Sequence, residues 1–257
     1  MSIPLELNKA WESTCKVVLG GEVGELAGYT DYLKKYVDPP SEKISTLSGK
    51  KVSFASPYIA KGAKVMSYDE MGEYAKKTEK LKLEMDDLKD IDSVLGALEE
   101  RVYYAGNTVL GKSMGVHESD KCSDSFFVCN SHHIYDSKYI YYVANLRYGD
   151  YIFGSYSVEE LKFCIRGFEA YKDARCFEVL RTYVSSDCYY VSNLEGCKNC
   201  MFSFNQRNKN YLIGNVQLSE EEYAKLSSKL LEDIRETLRS KKSAPTIVEV
   251  MGGIKDG

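Results

Sequence analysis

The sequence has little of what would place a protein in a membrane, on an export pathway or on nucleic acid. No apolar run approaches the roughly 20 residues that span a bilayer. The N-terminus shows neither the basic nor the apolar region of a signal peptide. The formal net charge is −4, so there is no excess of positive charge to capture nucleic acid non-specifically. We therefore expect a cytoplasmic protein without membrane contact.

Proline, tryptophan and histidine are also scarce. The 257 residues include five prolines, one tryptophan and three histidines, whereas 44% are hydrophobic. This hydrophobic content is ordinary for a globular chain and can form a substantial core. The length allows one large domain or two modest ones.

Residues 1–105 read as an N-terminal α/β region. Apolar residues at steps of three and four predict a helix over residues 21–37, which Pro39 and Pro40 end. Alternation predicts a strand pair at residues 51–55 and 63–68, and helical patterns return at 69–78 and 91–102. Two segments stay ambiguous between helix and strand, namely residues 11–19 and 80–85.

Residues 106–217 have a different sequence pattern, in which short aromatic runs end at asparagine. The clearest copies are residues 124–130, 137–145, 187–193 and 199–205. They recur at an irregular step of roughly 10–15 residues, which is typical of short strands joined by tight turns. Such strands bury their apolar faces by stacking, and small residues beside tyrosine and phenylalanine favour a narrow interior with aromatic ladders. We predict a β-solenoid here, with an antiparallel sandwich as the alternative.

The end of the stack is marked by a helix start. Ser219 and Glu222 have the spacing of a capping box, and an apolar stripe follows. The predicted fold class is therefore α+β. A helical and β-hairpin region (1–105) precedes a solenoid-like stack (106–217), a capping helix (218–240) and an extended tail (241–257) with strand character at residues 245–251.

Seven of the eight cysteines lie in the repeat region. In a reducing compartment such residues are buried thiols, a metal site or redox groups. Cys197-x-x-Cys200, with Cys188 as a third ligand, is the candidate zinc site, although a closed zinc site needs four ligands. The alternative is that the pair is structural. No other cofactor is indicated.

The adjacent His132 and His133 are the weak catalytic or metal-binding candidates, with Asp124 and Asp136 as nearby acids. Neighbouring residues of a straight strand point to opposite faces, which would keep the two imidazoles apart. The alternative is a solvent-facing turn.

Tyrosine and arginine residues are the remaining indication of a binding surface. Tyr139, Tyr141 and Tyr142 alternate in direction, so part of a tyrosine strip would reach the surface. Together with the arginines it would suit a protein or RNA interface. The arginines concerned are Arg147, Arg166, Arg175 and Arg181.

We therefore expect an interaction or scaffold protein, with a protein partner, a homodimer or a ribonucleoprotein as its assembly. The first alternative is an enzyme with a carbohydrate-active or acyl-transfer site on the solenoid. The second is a zinc-dependent regulatory or maturation factor.

Three short C-terminal motifs carry a resemblance to a known pattern. They are residues 197–202 (CKNCMF), 208–215 (NKNYLIGN) and 219–223 (SEEEY). Here the chain resembles an uncharacterised family of microbial Cys- and Tyr-rich β-solenoid proteins. Residues 11–17 (WESTCKV) and 24–26 (GEL) are similar to segments of uncharacterised archaeal proteins. The resemblance implies a solenoid closed by these turns and a helix start, and it implies no activity.

Overall fold

The computed structural model describes residues 3–77 and 82–252. Its main feature is a three-residue backbone period. Every third residue from Gly115 to Gly214 has a positive φ, between 46° and 68°. Each of these residues turns the chain, and four short sides complete one coil. Lys138 pairs with Asp150 and Asp150 with Lys162, so each coil takes 12 residues.

About nine such turns form a β-solenoid, as the sequence predicts. The pairing between coils is parallel, which rules out the antiparallel sandwich. From Met114 onward the step is a constant 12 residues rather than an irregular 10–15. The first coil has 13 residues, because Val109 pairs with Cys122. The irregularity arose because the aromatic runs lie at different positions within their coils.

The interior of the solenoid receives one inward side chain from each side. The buried interior cluster consists of valine, isoleucine, leucine, cysteine and alanine. The expected aromatic ladders lie outside this interior, because sides of three residues enclose too little width for rings. Phe127, Tyr139, Tyr151 and Phe163 form such a ladder on an outer corner, with ring centroids 4.5–5.2 Å apart.

Inward serines connect successive coils. The hydroxyl of Ser131 donates to the carbonyl of Cys129 at 2.8 Å and accepts the amide of Val143 at 3.0 Å. The hydroxyl of Ser137 likewise bonds the carbonyl of Tyr135 and the amide of Gly149, twelve residues on. These bonds satisfy backbone groups that would otherwise be unpaired in a dry interior.

One outer face of the solenoid forms the second part of the core. Its outward column stacks one residue from each coil, namely Cys129, Tyr141, Phe153, Ile165, Phe177, Tyr189 and Met201. Helix α1 (Leu5–Leu19) packs along this column, and Trp11 meets the ring of Phe153 at 5.2 Å. The ambiguous residues 11–19 are therefore helical, because α1 buries one apolar side against a flat sheet.

The other N-terminal elements pair differently from expectation. The strand β2 (Lys51–Phe54) forms an antiparallel hairpin with β1 (Ser41–Ile44). The strand β3 (Val65–Ser67) pairs in parallel with β4 (Tyr104–Gly106). The two predicted strands thus exist but do not pair with each other. The predicted helix at 21–37 is shorter, comprising a 3-10 helix at Leu26–Tyr29 and α2 (Thr30–Lys34), since Gly24 has a φ of 116°.

The remaining N-terminal helices are α3 (Met71–Lys77), α4 (Ile91–Arg101) and 3-10 turns at Tyr68–Glu70 and Met85–Asp87. Residues 80 and 81 of the ambiguous segment lie outside the described residues.

The strands of the solenoid are β5 (Val109–Leu110), β6 (Met114–His117), β7 (Asp120–Ser123), β8 (Phe126–Cys129), β9 (His132–Tyr135), β10 (Lys138–Arg147), β11 (Asp150–Glu159), β12 (Lys162–Tyr171), β13 (Ala174–Tyr183), β14 (Ser186–Glu195), β15 (Lys198–Met201), β16 (Phe204–Arg207), β17 (Asn210–Ile213) and β18 (Val216–Gln217).

Two helices follow the solenoid. The capping box at Ser219 is confirmed and starts α5 (Glu220–Lys241). The tail was expected to be extended, but residues 247–252 form the helix α6 (Ile247–Gly252). Thr246 and Glu249 bond each other's amides at 3.1 Å, and this reciprocal cap favours a helix over a strand. Residues 253–257 lie outside the described residues.

A buried ion pair attaches the flanking helices to the solenoid. Arg166 and Glu178 lie one coil apart at a corner and are fully buried, with Nε and Oε1 2.6 Å apart. Arg166 Nη1 also donates to the carbonyls of Tyr32 and Lys35 at the end of α2. Glu178 accepts the Tyr32 hydroxyl at 2.5 Å and the amide of Ile247 at 2.8 Å. One pair thus holds both α2 and α6; we name it the Arg166–Glu178 lock.

We predict that Glu178→Gln lowers the free energy of unfolding by about 3 kcal/mol, because it leaves the buried Arg166 charge uncompensated. The matched control is Asp187→Asn. Arg175 and Asp187 are also one coil apart and 2.6 Å from each other, but half-exposed, so we expect about 1 kcal/mol or less. Chemical denaturation at pH 7 measures both. Equal losses in the two variants would contradict the proposed role of the lock.

Asp173 is buried inside the solenoid, and we predict that its carboxyl group makes the stability of the protein depend on pH. Burial raises its pKa from 3.8 to about 6. The folded protein therefore binds a proton between about pH 4 and 6 that the unfolded chain does not, so stability falls as pH rises through this window. The shift corresponds to a loss on the order of 2–3 kcal/mol.

Asp173→Asn removes this pH dependence, because the amide stays neutral while accepting the Ser185 amide and bonding the Thr182 hydroxyl. Urea denaturation between pH 4 and 7.5 tests this, with Asp136→Asn at an exposed corner as control. An unchanged slope in the Asp173 variant would refute it.

Candidate functional site: a tyrosine-rich face of the solenoid

One outer side of the solenoid carries a column of aromatic and charged residues. The register places Tyr135, Arg147, Glu159, Tyr171 and Tyr183 directly side by side, one from each successive coil. Neighbouring strands are about 4.8 Å apart, so these five residues cover roughly 19 Å of the face. We call this column and its neighbours the tyrosine face.

The tyrosine face is concave. A shallow cavity of about 670 Å³ is lined by the column and by side chains of the two neighbouring columns, among them His133 and Tyr156. Tyr156 and Tyr183 are each 39% exposed. Large aromatic side chains that stay partly exposed on a rigid surface are the usual anchors of protein interfaces.

The charges of the tyrosine face balance each other. The Arg147 guanidinium lies 5.5 Å from the centre of the Tyr135 ring. Nε of Arg181 lies 3.5 Å from Oε2 of Glu169, one coil below. Because cations and anions alternate, the face is nearly neutral. Such a surface suits a folded protein better than a polyanion.

Most of the tyrosines and arginines singled out from the sequence lie elsewhere. Tyr141 is buried beneath α1, and Tyr139 and Tyr142 are half-buried at the edges of the same cluster. Of the four arginines only Arg147 lines the cavity, and Arg166 is buried in the lock. The tyrosines that do reach the surface were missed. Their signal is the spacing of Tyr135, Tyr171 and Tyr183, which are separated by multiples of 12.

His132 and His133 lie at one end of the tyrosine face and are in contact. Their Nδ1 atoms are 2.8 Å apart. The expectation that they point to opposite faces is wrong, because His133 has a φ of 54° and turns the chain between them.

The hydrogen bonds assign both tautomers. His132 Nε2 lies 2.8 Å from the carbonyl oxygen of Asp38, which can only accept, so Nε2 carries the proton. Nδ1 of a neutral His132 is then an acceptor, and His133 must donate from its Nδ1. The free nitrogen of the pair is therefore His133 Nε2.

Burial lowers the pKa of both histidines, and for His133 the neighbouring His132 adds to the effect. Asp120, one coil below His132, opposes the shift, and Lys121 favours it. Asp120 is itself held by the amides of Ala55 and Thr108 at 2.8 Å.

Asp124 and Asp136 do not join the histidines. Asp124 accepts the amide of Lys112 and the hydroxyl of Ser123, which lower its pKa. Asp136 occupies the same exposed corner one coil later. Neither lines the cavity that contains His133, so the structure does not assemble the His–Asp pair considered from the sequence.

The candidate zinc ligands lie inside the solenoid. Cys188 is directly below Cys200 in a column that also contains Cys164 and Cys176, whereas Cys197 lies on another inner side. All eight cysteines are free and buried. Five of the thiols donate to the carbonyl two residues back, as from Cys188 to Ser186 at 3.2 Å; these are the thiols of Cys122, Cys176, Cys188, Cys197 and Cys200. Within residues 3–77 and 82–252 no three His, Cys, Asp or Glu side chains are grouped to hold a metal. Zinc binding at these residues stays a prediction.

Among the described helices, none is both long enough and apolar enough to cross a membrane.

The tautomers and the pH response of the histidine pair are testable by NMR. We expect long-range ¹H–¹⁵N spectra at pH 7.5 to show His132 protonated at Nε2 and His133 at Nδ1, with the exposed His117 as internal reference. Because the folded pKa values are lowered, the unfolded chain binds more protons below about pH 6.5, and the free energy of unfolding should fall as pH drops through that value. The opposite tautomers, or pKa values of His132 and His133 that are not lowered, would disprove the arrangement.

No protein-family model matches the chain, and no curated protein matches it significantly.

Proposed function

We propose that the chain is an interaction or scaffold protein of the cytoplasm, which binds a protein partner through the tyrosine face. The observation that carries the proposal is the concave, partly exposed column formed by Tyr135, Arg147, Tyr171 and Tyr183, with Tyr156 beside it. Tyrosine and arginine are the residues enriched in the energetically important centres of protein interfaces.

The rigidity of the solenoid supports this proposal. The tyrosine face rests on a continuous parallel ladder, and interior serines bond neighbouring coils at several levels of the stack. A surface built this way loses little conformational entropy on binding, so more of the contact energy appears as affinity. The near neutrality of the face favours a protein over RNA as the partner.

The state of the cysteines supports the proposed compartment. All eight are free thiols in the fold, including pairs that lie in register one coil apart. Free thiols persist in the reducing cytosol, whereas exported proteins tend to oxidise them.

We expect a tagged chain to recover one partner in stoichiometric amount from native lysate, as judged by mass spectrometry. The double variant Tyr156→Ser/Tyr183→Ser should reduce that recovery at least tenfold, because interface tyrosines commonly contribute about 2 kcal/mol each. The matched control is Tyr58→Ser, which changes an 89% exposed tyrosine of the N-terminal region.

Circular dichroism establishes that the variants fold. Recovery that survives the double substitution would refute the tyrosine face as the binding surface. Recovery of the chain alone would refute a stable partner, and light scattering would then show whether the assembly is a homodimer.

A further inference from the structure

A second cavity lies at the C-terminal end of the solenoid and shares no lining residue with the tyrosine face. It encloses about 670 Å³ between the last coils, α5 and α6. This volume falls within the range of about 300–1,000 Å³ that is usual for small-molecule sites.

The solenoid wall of this cavity is aromatic. Tyr190 and Phe202 occupy the same corner of successive coils, and their rings stack 5.4 Å apart and nearly parallel. The side chains of Asn193 and Asn205, on the next corner, are bonded to each other at 2.9 Å. These four positions are fixed by the 12-residue register, so this wall is preformed.

The helical walls are also held in place. Leu230 and Ile234 line the cavity from α5, and Ile247 lines it from α6. The amide of Ile247 is bonded to Glu178 in the Arg166–Glu178 lock. The cavity therefore depends on the same contact that docks α6, and its shape does not require a ligand to order it.

Apolar groups remain exposed around the mouth of this cavity. Phe202, Phe204, Val250 and Met251 are between 39% and 54% exposed. An apolar surface gathered around a concave site is a common sign of ligand binding. Single apolar residues scattered over a surface would not be a sign of ligand binding.

A single carboxylate accompanies this apolar lining. Asp233, on α5, is the only charged residue among the described side chains that line the cavity. In the described part of the chain no cation forms an ion pair with it, whereas Glu232 next to it is paired with Arg235 and Arg239. A lone negative charge at the edge of an apolar cavity favours a ligand with a positive head.

We propose that this cavity binds a small amphipathic organic cation. Its apolar body packs against Tyr190, Phe202 and Ile234, and its ammonium head lies at Asp233. The site is independent of the tyrosine face and of the partner proposed for it.

The test compares two probes of equal chain length and opposite charge, octyltrimethylammonium and octanoate, below the concentrations at which they form micelles. We expect calorimetry on the full chain to show the cation binding about fivefold more tightly, the upper end for a solvent-accessible ion pair. Amide shifts in ¹H–¹⁵N spectra should concentrate at Ile234 and Ile247.

Three variants separate the contributions. Asp233→Asn should abolish the preference for the cation, and Met251→Ser at the mouth should weaken both probes. Glu236→Gln, on the same helix but outside the cavity, should leave both affinities unchanged. The proposal is overturned if neither probe binds, if octanoate binds as tightly as the cation, or if Glu236→Gln acts like Asp233→Asn.

Discussion

The left-handed backbone at every third residue is the constraint on which the rest of the molecule depends. Such a conformation costs a residue other than glycine about 1 kcal/mol or more, and here it recurs through roughly a hundred residues. The parallel ladder, the inward apolar side chains and the serine bonds between coils must offset that cost together. No single coil could do so alone, so the solenoid is a collective structure in which each turn stabilises its neighbours.

The same constraint decides what the outer surfaces can do. The three-residue backbone period points two side chains of every three outward. Equivalent side chains of successive coils lie a fixed distance apart, so each outer surface is a set of straight columns. One column is apolar and is covered by α1; another forms the tyrosine face. At one corner the columns bring Arg166 and Glu178 together, and this pair links α2, the solenoid and α6. The core, the candidate interface and the C-terminal cavity are therefore consequences of one register.

The sequence predicted the solenoid and the start of α5, because short strands and a capping box are local signals. It did not predict the 12-residue step. The aromatic runs used to align the repeats start at different positions of the coil, as Phe126 and Tyr189 illustrate. Without the step, the tyrosines of the exposed column could not be told from those beneath α1. The histidine contact was missed because a straight strand was assumed where His133 makes a corner. The helix α6 depends on Thr246, Glu249 and a distant carboxylate, which its own apolar pattern does not reveal.

The fixed coil length also bears on how such a chain can change. Removing or adding one residue within the solenoid would rotate every later side chain to a new column, turning interior valines outward and surface charges inward. Removing or adding twelve would leave all columns aligned and alter only the length of each face. Viable length variation should therefore come in whole coils. A chain with one more coil would have a binding surface that is longer by one strand spacing, and its columns of side chains would stay aligned.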